Sequence, residues 1–137
     1  MATLPEEVRP VLDSGVPAVL ASCSSDGEPN VTVISRLYYV DENHLGVSYQ
    51  FLSKTKRNVL ENPRVSATIV DLATLSDWEF DLEFVRSETE GPTFDAMDMA
   101  IEAIASMTGM SGVFKLKAAD IYRVNGFVTR AMVEETP

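Results

Sequence analysis

The chain has 137 residues, 45% of them hydrophobic, with 21 acidic against 11 basic residues and a formal charge of -10. That length suits one domain whose core needs no covalent staples, and the acidic excess argues against nucleic acid, which is held mainly by Lys and Arg on phosphates. One cysteine and one histidine exclude an internal disulfide and a Cys/His zinc cluster. No apolar run approaches the ~18 residues of a membrane span and the N-terminus has no secretion pattern, so a soluble cytoplasmic protein is expected.

Thr3 followed by Glu6 fits a capping box, and the stripe Val8, Val11 and Leu12 before Gly15 and Pro17 predicts a short helix within residues 1–15. Ala18 to Cys23 is a brief apolar run ahead of the turn Ser25-Asp26-Gly27. Val31 to Val40, VTVISRLYYV, is a longer β-branched and aromatic run, and the two read as a hairpin. Tyr38 and Tyr39 then point to opposite faces of one strand. After the polar turn Asp41-Glu42-Asn43, Leu45 to Phe51 returns as a third strand.

A local reversal of charge follows. Between Glu42 and Glu61 there is no acidic residue, yet Lys54, Lys56 and Arg57 crowd into a turn that leads to a short helix stopped by Asn62-Pro63. A turn at a helix N-terminus presents unpaired N–H groups and the positive end of the dipole, so added hydroxyls and ammonium groups make an anion site. Ser53, Lys54, Thr55 and Lys56 are the candidate phosphate ligands. The rival reading is a solvated helix start.

Val65 to Val70 reads as a central strand. Asp77 to Phe84, DWEFDLEF, alternates strictly, with Trp78, Phe80, Leu82 and Phe84 on a dry face and four carboxylates on the other, as in a half-exposed strand rather than a metal site. After the loop Ser87 to Thr93, apolar residues fall at helical spacing over 93–109, where Gly109 ends the one long helix. Val113 to Phe127 supplies a last strand or bent pair broken at Ala118-Ala119, and the tail 134–137 is expected to fray. Six or so mostly antiparallel strands make this a mainly β protein, a small closed or split β-barrel forming one domain over 1–137. Such a barrel is filled by its own side chains, so a cofactor must lie outside it or in a groove shared with another subunit.

The stretch GEPNVTVISRLYYVDENHLGVSYQFLSKTKRNVLENPRVSATIVD resembles the core of the FMN-binding split-barrel family related to pyridoxamine 5'-phosphate oxidase. Gly-x-Pro opens the second strand, and the Ser/Lys-rich turn before x-Asn-Pro-Arg-Val is the most specific part. The resemblance implies a homodimer with two FMN molecules in grooves at the interface. It places Val33, Ile34, Ser35 and Arg36 by the flavin, Ser48, Tyr49 and Gln50 along the ring and ribityl chain, and Ser53, Lys54, Thr55 and Lys56 at the phosphate.

Departures narrow the activity. Where the oxidase has basic residues on its second strand this sequence has Val33 and Tyr38, and it ends at Pro137 without the Arg- and Trp-containing segment that grips the oxidase's substrate. Oxidation of pyridoxamine phosphate is therefore not expected. The resemblance implies a flavin-dependent oxidoreductase on some other small molecule, with NAD(P)H as candidate electron donor and no catalytic side chain identified, since the cofactor performs the chemistry. The alternative is a non-catalytic ligand-binding or sensory module. Deazaflavin or haem are the alternative ligands, His44 being the one histidine available to a haem.

Overall fold

The computed structural model describes residues 2–50, 53–110, 112 and 115–131. In chain order the elements are α1 (Val8–Asp13), β1 (Ala18–Cys23), β2 (Pro29–Ile34), β3 (Tyr38–Asp41), β4 (His44–Tyr49), α2 (Ser53–Glu61), β5 (Arg64–Asp71), β6 (Ser76–Glu88), α3 (Pro92–Met107) and β7 (Ala118–Ala131). All strands join one antiparallel sheet in the order β2-β1-β5-β6-β7-β4-β3. Its two edges, β2 and β3, are consecutive in the chain and separated only by Ser35, Arg36 and Leu37. A flat seven-stranded sheet would hold them about 29 Å apart, whereas the four Cα steps from Ile34 to Tyr38 reach at most about 15 Å. The sheet must curl until its edges approach, which makes it a split barrel.

This link corrects the reading of Val31–Val40 as one strand. Leu37 is 1% exposed, and burying it turns the chain from one edge of the sheet to the other. The inward residues of the strands, among them Leu20, Ile34, Leu45, Val47, Ala67, Ile69, Phe80, Leu82, Tyr122 and Val124, fill the lumen together with Val8, Val11 and Leu12 of α1. The dry face read in β6 is the inner face. Its carboxylates lie opposite, where Asp77 and Glu79 pair with Arg130, Asp81 with Arg64 and Glu83 with Arg123. Among the described residues no cluster with the makings of a metal site exists.

Three boundaries differ from expectation. The capping box does not form: Leu4 precedes proline, which favours extended backbone, and its N–H bonds to the Glu42 carbonyl while that of Ala2 bonds to Val124. The helix α1 starts only at Val8, and Glu7 at its N-cap makes no side-chain cap. The turn carrying Lys54 to Lys56 is already the first turn of α2. The final segment is one strand that begins at Ala118, where a break was expected; Phe51, Val113 and the 134–137 tail lie outside the described residues.

On the outer face, α3 packs over β3, β4 and β7, where Met97 joins Leu116, Ala119 and Ile121 with Tyr38, Val40, Phe94 and Ile101 against them. Gly46 permits this approach, because a Cβ there would collide with the end of the Met97 side chain. Gly91, at φ 101°, turns the chain from β6 into α3, and Pro92 follows at its start.

Candidate functional site

Helix α2 closes one end of the barrel and is fastened there by polar contacts. Asn58 donates from Nδ2 to Ser22 Oγ at 3.1 Å, and Asn30 donates to Thr55 Oγ1 at 3.2 Å. Lys56 Nζ sits 2.6 Å from Asp120 Oδ1, contacts Ser87 Oγ, and lies over the rings of Tyr49 and Phe84 at 4.8 and 5.2 Å. Ser87 also donates to Asp120 at 2.7 Å. With the Lys56 side chain 16% exposed and that of Asp120 5% exposed, this pair is largely withdrawn from water. Removing one partner strands the other charge. Asp120→Ala should lower stability by about 2–3 kcal/mol, read as a reduced urea midpoint with the slope unchanged.

The four phosphate candidates on α2 therefore divide. Thr55 and Lys56 turn toward the barrel end, while Lys54 faces outward to an ion pair with Glu28 at 3.2 Å, both side chains about half exposed or more. Ser53 opens the helix, its side chain lying outside the described atoms. Arg57 is exposed and makes no ion pair with a described residue. An exposed pair such as Lys54–Glu28 is worth at most about 1 kcal/mol, so Lys54 is readily exchanged onto another anion.

Of the β2 candidates, Ile34 points into the core, 7% exposed, whereas Val33 is 68% exposed on the outer face. Val33 stands opposite Val19 in register and close to exposed Val31, which makes an uncovered apolar strip along β1 and β2. Ser35 is exposed. Arg36 lays its guanidinium over the Tyr38 ring at 4.3 Å, and its Nε is buried without a hydrogen-bond partner. At the far end of the sheet, Gln50 Nε2 reaches Ser48 Oγ at 3.5 Å and the Tyr49 ring lies within 5.4 Å of Lys117 Nζ as well as near Lys56. His44 is at the opposite end of β4, bonded through Nδ1 to Asp41 at 2.8 Å.

Two tyrosines bear on possible acid–base roles. Burial pushes the Tyr38 phenol up against the opposing pull of Arg36, and burial, reinforced by Asp120, pushes Tyr122 well above its ordinary value. Neither ionises at neutral pH, so neither phenol is a base. Sequence reasoning missed Glu28, Asn30, Ser87, Lys117 and Asp120. The strand order brings Glu28, Asn30, Ser87 and Asp120 to α2 and Lys117 to the Tyr49 ring beside it, and no local pattern announces it.

The family model described as pyridoxamine 5'-phosphate oxidase matches residues 4–125, nearly the whole chain. The chain belongs to this pyridoxamine 5'-phosphate oxidase family. Among solved structures it is similar to an FMN-binding protein from Syntrophomonas wolfei subsp. wolfei, with a TM-score of 0.77 at 16% identity over 94% of this chain and 87% of that one. It is also similar to an F420 reductase, TM-score 0.65 at 16% identity over 91% and 98% of the two chains. A third likeness is to HutZ, the heme storage protein from Vibrio cholerae, TM-score 0.61 at 18% identity over 93% and 94%. At such identities the likeness is one of fold, the split barrel of the oxidase family. No curated protein matches the chain at a significant level. Among the described residues no helix is long and apolar enough to cross a membrane.

Proposed function

We propose that this member of the oxidase family is an FMN-binding flavoprotein that works as a homodimer, a flavin-dependent oxidoreductase on a small molecule other than pyridoxamine phosphate, with NAD(P)H as electron donor. The observation that carries it is the outer side of β2. There an exposed Val31–Val33 strip runs between a loosely held cation, Lys54 on Glu28, and Arg36, whose buried Nε lacks an acceptor. A buried donor without a partner costs stability unless a ligand or a partner chain supplies the acceptor. These residues fit FMN, which has an apolar ring, polar ring edges and a dianionic phosphate. When bound, FMN supplies the electron-transfer chemistry. The chain's own residues would bind and orient it: the valines against the ring, Arg36 at a polar edge, Ser48, Tyr49 and Gln50 alongside, and Lys54 with the first turn of α2 at the phosphate.

A second reading keeps the ligand and drops the chemistry. Thr55 and Lys56 are committed to the barrel end, and proteins of this fold include one described as a heme storage protein, which favours a binding or sensory module. Anaerobic addition of NADH or NADPH to the FMN-loaded protein separates the two. Bleaching of the visible flavin band supports the oxidoreductase; a band that persists while free FMN is still reduced by dithionite supports the module.

A further inference from the structure

The start of α3 does not close down on β3. Between them opens a cleft of about 190 Å³, with Tyr38 and Val40 on the strand side and Pro92, Thr93, Ala96 and Met97 on the helix side. Gly46 of β4 lies beneath it, in register with Tyr38. Its φ is not left-handed, so this glycine serves packing rather than a turn. A Cβ there would strike the end of the Met97 side chain and crowd Val40. Without one, Met97 packs down onto β4, 1% exposed, and the space beside Tyr38 stays open.

No residue lining this cleft is acidic or basic. The charges that flank it, Arg36 on the Tyr38 ring and Asp95 in the first turn of α3, are of opposite sign. An ion entering it would give up water without a partner in the walls, which is costly. The occupant is therefore uncharged. The polar groups on offer are hydroxyls: those of Tyr38 and Thr93 make no hydrogen bond to a described residue, and burial keeps the Tyr38 phenol protonated, a donor for an oxygen acceptor. A cavity of about 150 Å³ takes a benzene ring, and the Tyr38 ring and Met97 sulfur are favourable neighbours for one. We propose that the cleft binds an uncharged molecule of one aromatic ring carrying a carbonyl oxygen, to which the Tyr38 hydroxyl donates, and that this is the substrate class of the oxidoreductase. Arg36 joins the cleft to the flavin strip, because its guanidinium lies over the Tyr38 ring at 4.3 Å on the link that continues from β2. The substrate role rests on the flavin reading; the binding does not.

The test titrates acetophenone, one ring with one carbonyl, and benzoate, an anion of the same size, into the intact chain with and without FMN, followed by calorimetry and ligand-observed NMR. The expected result is saturable binding of acetophenone with a Kd below about 1 mM, and of benzoate at least about tenfold weaker. Ala96→Trp, at an exposed position where the indole fills the cleft, should abolish acetophenone binding. Tyr38→Phe should weaken it about fivefold, the loss of one neutral hydrogen bond. Circular dichroism confirms that both variants fold. In the FMN-loaded protein acetophenone should shift the flavin absorption band, and Ala96→Trp should remove that shift while FMN still binds. Benzoate bound as tightly as acetophenone, or acetophenone bound as well by the Ala96→Trp protein, overturns the site. An unaffected Tyr38→Phe overturns the carbonyl contact, and binding without a flavin shift overturns the substrate role. FMN binding with no acetophenone binding sinks the cleft and leaves the flavin reading standing; the reverse sinks the flavin reading and leaves the cleft as a ligand site.

Discussion

Phe80→Ala should cost about 3–5 kcal/mol of folding stability, the largest effect expected from a single side chain here. Phe80 lies in mid-β6 with Ala67 on one neighbouring strand and Phe127 on the other, is fully buried, and stacks 6.3 Å from Trp78. The lumen of a small barrel is walled by hydrogen-bonded strands, so it cannot collapse around a lost ring. Truncation therefore leaves a cavity and adds its cost to the lost burial. Against a total of about 5–15 kcal/mol for a domain, that is about a fifth of the stability or more. Equilibrium urea unfolding measures it, and a loss below about 1 kcal/mol would mean that Phe80 does not occupy the barrel centre.

Lys54→Ala should weaken FMN binding by about 1.5–3 kcal/mol, the range for a hydrogen bond to a charged partner, while leaving the barrel folded. Lys54 is half exposed, and its structural partner Glu28 is an exposed carboxylate, so the side chain contributes little to folding and is available to a dianion. Lys56→Ala provides the contrast. Its ammonium is held by Asp120 inside the barrel end, so that substitution should lower stability at least as much as it lowers affinity. Fluorescence titration of FMN into each variant, alongside unfolding, distinguishes the two lysines.

The fold was legible wherever one face of an element is dry. The alternation of DWEFDLEF is β6, and the valine- and isoleucine-rich run after Pro63 is β5. Of the helical stripe read over 93–109, Met97 and Ala105 are buried in α3 with Phe94 and Ile101 partly so, while Ile104 stays exposed. The split at Ser35–Leu37 was not legible, because VTVISRLYYV is strand-like throughout and only closure of a barrel forces a turn there. At the site, the cationic run was visible but its division was not. Residues Lys54 and Lys56 look alike in sequence, and the difference is made by Glu28 on one side and Asp120 on the other. Both carboxylates are far away along the chain and reach α2 only through the strand order.

We propose that the outer face of β2 takes the flavin ring and the exposed Lys54 of α2 its phosphate. Titrating FMN with the purified protein while following flavin fluorescence tests it most directly. The account predicts saturable quenching at micromolar protein and a perturbed flavin absorption band, both weakened by Lys54→Ala. Unquenched fluorescence across that range, or quenching indifferent to Lys54, would contradict it.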